Sequence, residues 1–167
     1  MPEYKDLDAE RKKLYDAQIA LHGRITNMKK TLLNDALSFK VLMEWYPLRD
    51  KVREFAGEFA TNVFAYSISA ENDCLICSTF FRKILKDAGK DPDKLELDRT
   101  EALLADYGRA LVSKEIPEKL FARLKAAFSE EQIVILTAFG AMMIATNLIN
   151  SALEVPLDEY LTPYTRR

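Results

Sequence analysis

Only five glycines occur in 167 residues, and none follows an asparagine or an aspartate. The Asn-Gly and Asp-Gly signals of tight hairpins are therefore missing, and strand-like alternation is missing with them. Cysteine is scarce, with two, and histidine scarcer, with one. That supply is poor for a structural zinc site, which takes four Cys or His ligands. Neither sign of charge dominates, since 24 Lys and Arg face 26 Asp and Glu for a net charge of −2. No basic block stands out, so nothing recommends nucleic acid as a partner. The longest apolar run, IVILTAFGAMMIATNLI from Ile133 to Ile149, falls short of the roughly 18 residues that suggest a membrane span, and it carries Thr, Asn and Gly. The charged N-terminus, MPEYKDLDAERKKLYD, lacks the apolar centre of a secretory signal. A cytoplasmic protein with no membrane partner is the expectation, and in that compartment a spaced cysteine pair is redox-active or metal-binding more often than a structural staple.

What is present reads as helix. Apolar residues make up 49 % and charged residues 30 %, a balance that suits a globular chain and argues against disorder. One domain over residues 1–167 is expected. Apolar residues recur three and four apart throughout, so the fold class is all-α. Helices are expected from Asp8 to about His22, over Ile25–Leu33, from about Asp35 to Tyr46, and from Leu48 to about Ala70 with Gly57 as a candidate break. Another opens at the cysteines and ends near Ala88 and Gly89. Asp98 and Glu101 make a capping box ahead of Leu103, Leu104, Tyr107 and Leu111. Pro117 fits the first position of the next helix, and Ser129 with Gln132 boxes the start of the long apolar one, which runs to about Leu153. The total is seven or eight helices. The last is apolar around nearly its whole circumference, so either one chain encloses it or a second subunit shares it, and a homo-oligomer is the expectation.

Both cysteines fall in one stretch, ENDCLICSTFF, as Cys74 and Cys77. Residues three apart on a helix share a face. With Asn72 or Asp73 as the cap, Cys74 stands in the first turn and Cys77 one turn in, where free backbone N–H groups and the helix dipole favour a thiolate. One thiolate attacks and the other thiol closes the disulfide, which is the logic of a Cys-x-x-Cys redox centre. The neighbours oppose it in part. Glu71 and Asp73 bring negative charge, and Cys74, Cys77, Phe81, Ile84 and Ala88 form an apolar stripe whose burial raises a thiol pKa. Arg82 and Lys83 are not placed to help, and His22 lies in a charged helix as a surface residue. On the residues alone the pair reads as a redox centre, as half of a metal site, or as two small core residues.

The stretch YSISAENDCLICSTFFRKILKDAG resembles the core motif of the alkylhydroperoxidase D-like proteins of the carboxymuconolactone decarboxylase superfamily. ITNMKKTLLNDALSFKVLMEWY resembles the opening helices of that family, and the segment from Leu120 to Leu161 its closing ones, so the likeness covers about residues 25–160. It implies a compact multi-helix domain in a homo-oligomer, commonly a trimer or a hexamer. It also implies that Cys77 attacks a small hydroperoxide, that Cys74 resolves the sulfenic acid, and that a thiol reductant restores the pair, with no cofactor and no metal. The family's proton relay is not matched: Phe81 stands where a His is normal and Asn62 where a Glu is frequent. Asn62, Glu58 one turn before it and Tyr66 one turn after it are candidate substitutes.

Three functions follow from this reading. The first is a thiol-dependent peroxidase or disulfide oxidoreductase with an atypical relay. The second is a non-catalytic, oligomeric binding or redox-sensing module of the same fold. The third is decarboxylase-type carbon-acid or lactone chemistry, which needs a base over a bound anion.

Overall fold

The computed structural model describes residues 1–166, so Arg167, the last residue of the expected 1–167 domain, lies outside the described residues. Among the described residues there are nine α-helices and no strand. The helices are α1 (Ala9–His22), α2 (Asn27–Leu32), α3 (Ala36–Met43), α4 (Pro47–Ala56), α5 (Glu58–Glu71), α6 (Leu75–Asp87), α7 (Arg99–Ser113), α8 (Glu118–Ala127) and α9 (Glu130–Ala152). The all-α expectation holds, and the helix count rises to nine because Gly57 does break the long pattern. It sits at φ +87°, a backbone region that glycine enters without steric cost, and its two flanking helices share it as a cap. Both expected capping boxes form, at Asp98 with Glu101 and at Ser129 with Gln132. Pro117 is the cap of α8 rather than its first helical residue.

α5 is the axis of the main core. Residues Thr61 to Ala65 and Ser67 to Ser69 are all buried. α7 lies against α5 at Gly108, where a Cβ would stand 3.1 Å from both the Phe64 carbonyl oxygen and Ile68 Cγ1. A side chain at that position would push the two helices apart. Phe64 stacks on Tyr107 of α7, with ring centroids 6.1 Å apart, and packs on Phe139 of α9 at 5.9 Å.

α9 is 23 residues long, and by length and composition alone it would suffice to cross a membrane. Its inward side nevertheless belongs to the core through Leu136, Phe139, Gly140 and Met143. The single chain does not enclose it all round, because Val134 and Leu148 are 66 % and 65 % exposed. Toward its C-terminal end the buried side turns polar, with Thr146, Asn147 and Asn150. There α9 borders a second apolar cluster, built from α1 to α3 by Ile25, Met28, Leu33 and Phe39, with Ile76 and Ile149 packed on it. Ile76 lies in the cysteine segment and Ile149 directly precedes Asn150, so this second cluster reaches both.

Candidate functional site

The link between α5 and α6 sets the geometry of the cysteine pair. Asn72 ends α5, and Asp73 then takes a left-handed conformation at φ +49°, which Asp and Asn tolerate better than most residues. Cys74 N–H donates to the Ser69 carbonyl at 3.0 Å and closes the turn. The cap of α6 therefore falls on Cys74 itself, and not on Asn72 or Asp73 as the spacing had suggested. Its sulfur does the work of a capping oxygen: Cys77 N–H donates to Cys74 Sγ at 3.5 Å.

Both thiols are free and both are buried, with Cys74 2 % and Cys77 7 % exposed. Asn150 reaches in from α9, and its Nδ2 donates to Cys77 Sγ at 3.2 Å and lies 3.9 Å from Cys74 Sγ. The two thiols are polarised in opposite senses. Cys74 is lowered to about 6, first by the hydrogen bond from the Cys77 thiol, with the Cys77 backbone N–H and Asn150 adding to it against the cost of burial. Cys77 is held up by donating that same hydrogen bond, by burial and by the charge on Cys74. In the geometry each sulfur has a donor of its own, the Cys77 backbone N–H for Cys74 and the Asn150 amide for Cys77. Glu71 and Asp73, expected to oppose a thiolate, are exposed to solvent.

The candidate relay residues are not at this pair. Asn62 accepts from Arg49 Nη2 at 3.1 Å and donates to Glu58 Oε1 at 3.1 Å. Glu58 also takes Arg49 at 2.5 Å and Arg53 at 3.2 Å. Burial works to raise the Glu58 carboxyl, but its bonds to Asn62 and Arg49 hold it below the usual range. The Tyr66 hydroxyl accepts from Arg82 Nη1 at 3.3 Å, and Arg82 is committed to Asp93 by a two-bond fork at 2.7 and 2.6 Å. None of Glu58, Asn62 and Tyr66 hydrogen-bonds to either sulfur. Phe81 is buried and meets Phe80 edge-on, so an aromatic ring fills the position where the resemblance places an imidazole. His22 is exposed on α1, as expected.

No family model matches the sequence, and no curated protein matches it. Solved structures match in shape. An uncharacterized peroxidase-related protein from Silicibacter sp. TM1040 superposes with a TM-score of 0.75 at 16 % identity, over 96 % of this chain and 91 % of that one. An uncharacterized peroxidase-related protein from Ralstonia eutropha JMP134, described as an alkylhydroperoxidase AhpD core, gives 0.73 at 18 % identity over the same shares. The fold is that of the alkylhydroperoxidase AhpD core. At these identities the likeness carries the AhpD architecture and leaves the chemistry to this chain's own side chains.

Beside the cysteines of this AhpD-type fold stand residues that the sequence reading did not single out. Asn147 and Asn150 lie three apart on the buried side of α9, and Asn147 Nδ2 and Asn150 Oδ1 are buried with no hydrogen-bond partner. Their signal was in plain view: two amides at helical spacing in an otherwise apolar run. Tyr46, in the turn before α4, lies near enough to Cys77 for a thiolate there to raise its phenol, which burial already raises. Lys29 sits over the Tyr46 ring at 5.1 Å, largely buried, with its ammonium on Gln18 at 2.5 Å. Nothing in the linear pattern marks either of these two.

Proposed function

We propose that this chain is a thiol-dependent peroxidase or dithiol–disulfide oxidoreductase working through Cys74 and Cys77. A thiolate attacks the O–O bond of a small hydroperoxide, the alcohol leaves, and the resulting sulfenic acid condenses with the second thiol to a disulfide and water. An external thiol reductant returns the pair to the dithiol by exchange. The observation that carries this reading is the Asn150 amide donating to the Cys77 sulfur, at the start of a helix whose cap is the Cys74 sulfur. Two inert core cysteines need no buried amide against them, since an amide in an apolar site costs free energy unless it is paired. The reading includes a homo-oligomer, a trimer or a hexamer, supported by apolar side chains left outside on α3 and α9, among them Leu37 and Leu148.

The test is peroxide titration of the reduced protein, followed by alkylation and intact-mass measurement. Loss of two hydrogens together with loss of both alkylation sites, reversed by a dithiol, is the expected result. Unchanged alkylation after peroxide contradicts it. A second reading, a redox-sensing module without turnover, is favoured by the burial of both sulfurs. It gives a disulfide that forms slowly and no sustained peroxide consumption with any thiol donor.

A further inference from the structure

The buried side of α9 carries two polar atoms that nothing in the fold satisfies. Among the described residues, Asn147 Nδ2 and Asn150 Oδ1 are the fully buried side-chain nitrogen and oxygen atoms without a hydrogen-bond partner. Their residues are 0 % and 3 % exposed. The hydroxyls around them are paired: Ser69 Oγ donates to the Ala65 carbonyl and Thr146 Oγ1 to the Met142 carbonyl, each at 2.9 Å. The other half of each amide is anchored. Ser69 Oγ lies 3.4 Å from Asn147 Oδ1, and Asn150 Nδ2 donates to Cys77 Sγ at 3.2 Å and lies 3.9 Å from Cys74 Sγ. Residues three apart on a helix are neighbours, so one orphan donor and one orphan acceptor share a face beside the two sulfurs. A buried amide atom left unbonded costs free energy, and α9 carries two of them within one turn. Their complement is a group with one O–H to give and one oxygen lone pair to accept with.

We propose that Asn147 and Asn150 are the seat of the hydroperoxide group: Asn150 Oδ1 accepts the peroxide O–H, and Asn147 Nδ2 donates to a peroxide oxygen. The inference rests on the peroxidase reading and deepens it to the residues that bind the substrate. Asn150 Nδ2 stands against one sulfur and within 3.9 Å of the other, so a group held by the same amide lies beside the dithiol whichever sulfur attacks. Holding the reacting oxygen next to a sulfur lowers the barrier by proximity, in a site where Phe81 stands at the position the resemblance gives to an imidazole. Both seat residues are neutral and are anchored on a hydroxyl and on sulfur, so they suit an uncharged hydroperoxide. A carboxylate or a phosphate would bring an unpaired charge into a buried place. Burial of the sulfurs, at 2 % and 7 % exposure, selects further for a small carrier, hydrogen peroxide ahead of a bulky aryl-substituted hydroperoxide. Each turnover converts two thiols and one hydroperoxide into one disulfide, one alcohol (water in the case of hydrogen peroxide) and one water.

The test compares two reagents on the folded, reduced protein. Hydrogen peroxide is read as the second-order rate of disulfide formation by intact mass, and iodoacetamide as the rate of thiol alkylation. Asn147→Leu keeps the volume, removes the orphan donor and leaves the partners of both sulfurs in place. It is expected to slow the peroxide reaction about tenfold, the worth of one hydrogen bond, with the alkylation rate unchanged. Asn150→Leu, which also removes the donor on Cys77, is expected to slow the peroxide reaction at least as much and to shift alkylation with it. In the wild type, hydrogen peroxide should outpace cumene hydroperoxide by at least about tenfold, each scaled to its rate with free cysteine. A peroxide rate unmoved in Asn147→Leu, or one that falls in step with alkylation, gives the amides a structural role and overturns the inference, while a wild type that still forms its disulfide keeps the peroxidase reading. A wild type that forms no disulfide with either peroxide removes the peroxidase reading and the seat with it. Should Asn147→Leu fail to fold, Asn147→Ala and the peroxide ranking decide: cumene hydroperoxide as fast as hydrogen peroxide overturns the seat.

Discussion

The two ends of α5 carry polar clusters of opposite character. At its first turns the charged, partly exposed Glu58, Arg49 and Arg53 join the buried amide of Asn62 in a network whose members are paired with one another. Past its last turn Cys74, Cys77 and Asn150 form a cluster that is buried and not fully satisfied, with Asn150 Oδ1 left without a partner. A saturated network has no bonding capacity left for a substrate. A buried acceptor with nothing to accept from is costly, and sites with such costs are where function is sought. The family pattern draws attention to the first cluster, and the physics draws it to the second.

Variants can break or sharpen this contrast. The largest effect is expected from Cys74→Ser, which should abolish the peroxide-driven intramolecular disulfide by intact-mass measurement, while Asn62→Ala at the other end of α5 leaves it unchanged. Next is Arg82→Ala, which removes the two-bond fork from Asp93, leaving it Arg166 at 3.5 Å, and strips the donor from Tyr66 and the Tyr164 carbonyl. Because Asp93 is 40 % exposed, the loss is expected to be about 1–3 kcal/mol by denaturant unfolding. The Cys74 alkylation midpoint should not move, which separates a structural ion pair from the site. Wild-type Cys74 itself should lose reactivity as pH falls through about 6, because the thiolate lowered to that value is then protonated, and reach a plateau above it. The smallest effect is expected from Glu58→Gln. Its carboxylate is half exposed, at 52 %, so screening limits the change to roughly 0–1 kcal/mol by thermal melting.

The architecture was legible in the chain because helix punctuation is local. Asp98 with Glu101, Ser129 with Gln132, and Gly57 each write a boundary within four residues, and each boundary stands where it was read. The cysteine pair was legible for the same reason, being one turn of one helix. Its cap was misplaced by one or two residues because the left-handed turn at Asp73 depends on how the α5–α6 link closes through Ser69. The partner of the pair was not legible. Asn150 lies 73 residues from Cys77, and only the packing of α9 against α5 and α6 brings them together. The relay sought at Glu58, Asn62 and Tyr66 assumed that residues one turn apart on α5 face the sulfurs. Arg49 and Arg82 have claimed those groups instead.

The most direct measurement is the ultraviolet thiolate absorbance of the reduced protein followed through a pH titration, in the wild type and in Cys74→Ser. The account predicts one thiolate that appears near pH 6 in the wild type and is missing from that region in the variant. A wild-type protein with no thiolate until the ordinary thiol range, or an acidic thiolate that survives the loss of Cys74, contradicts it.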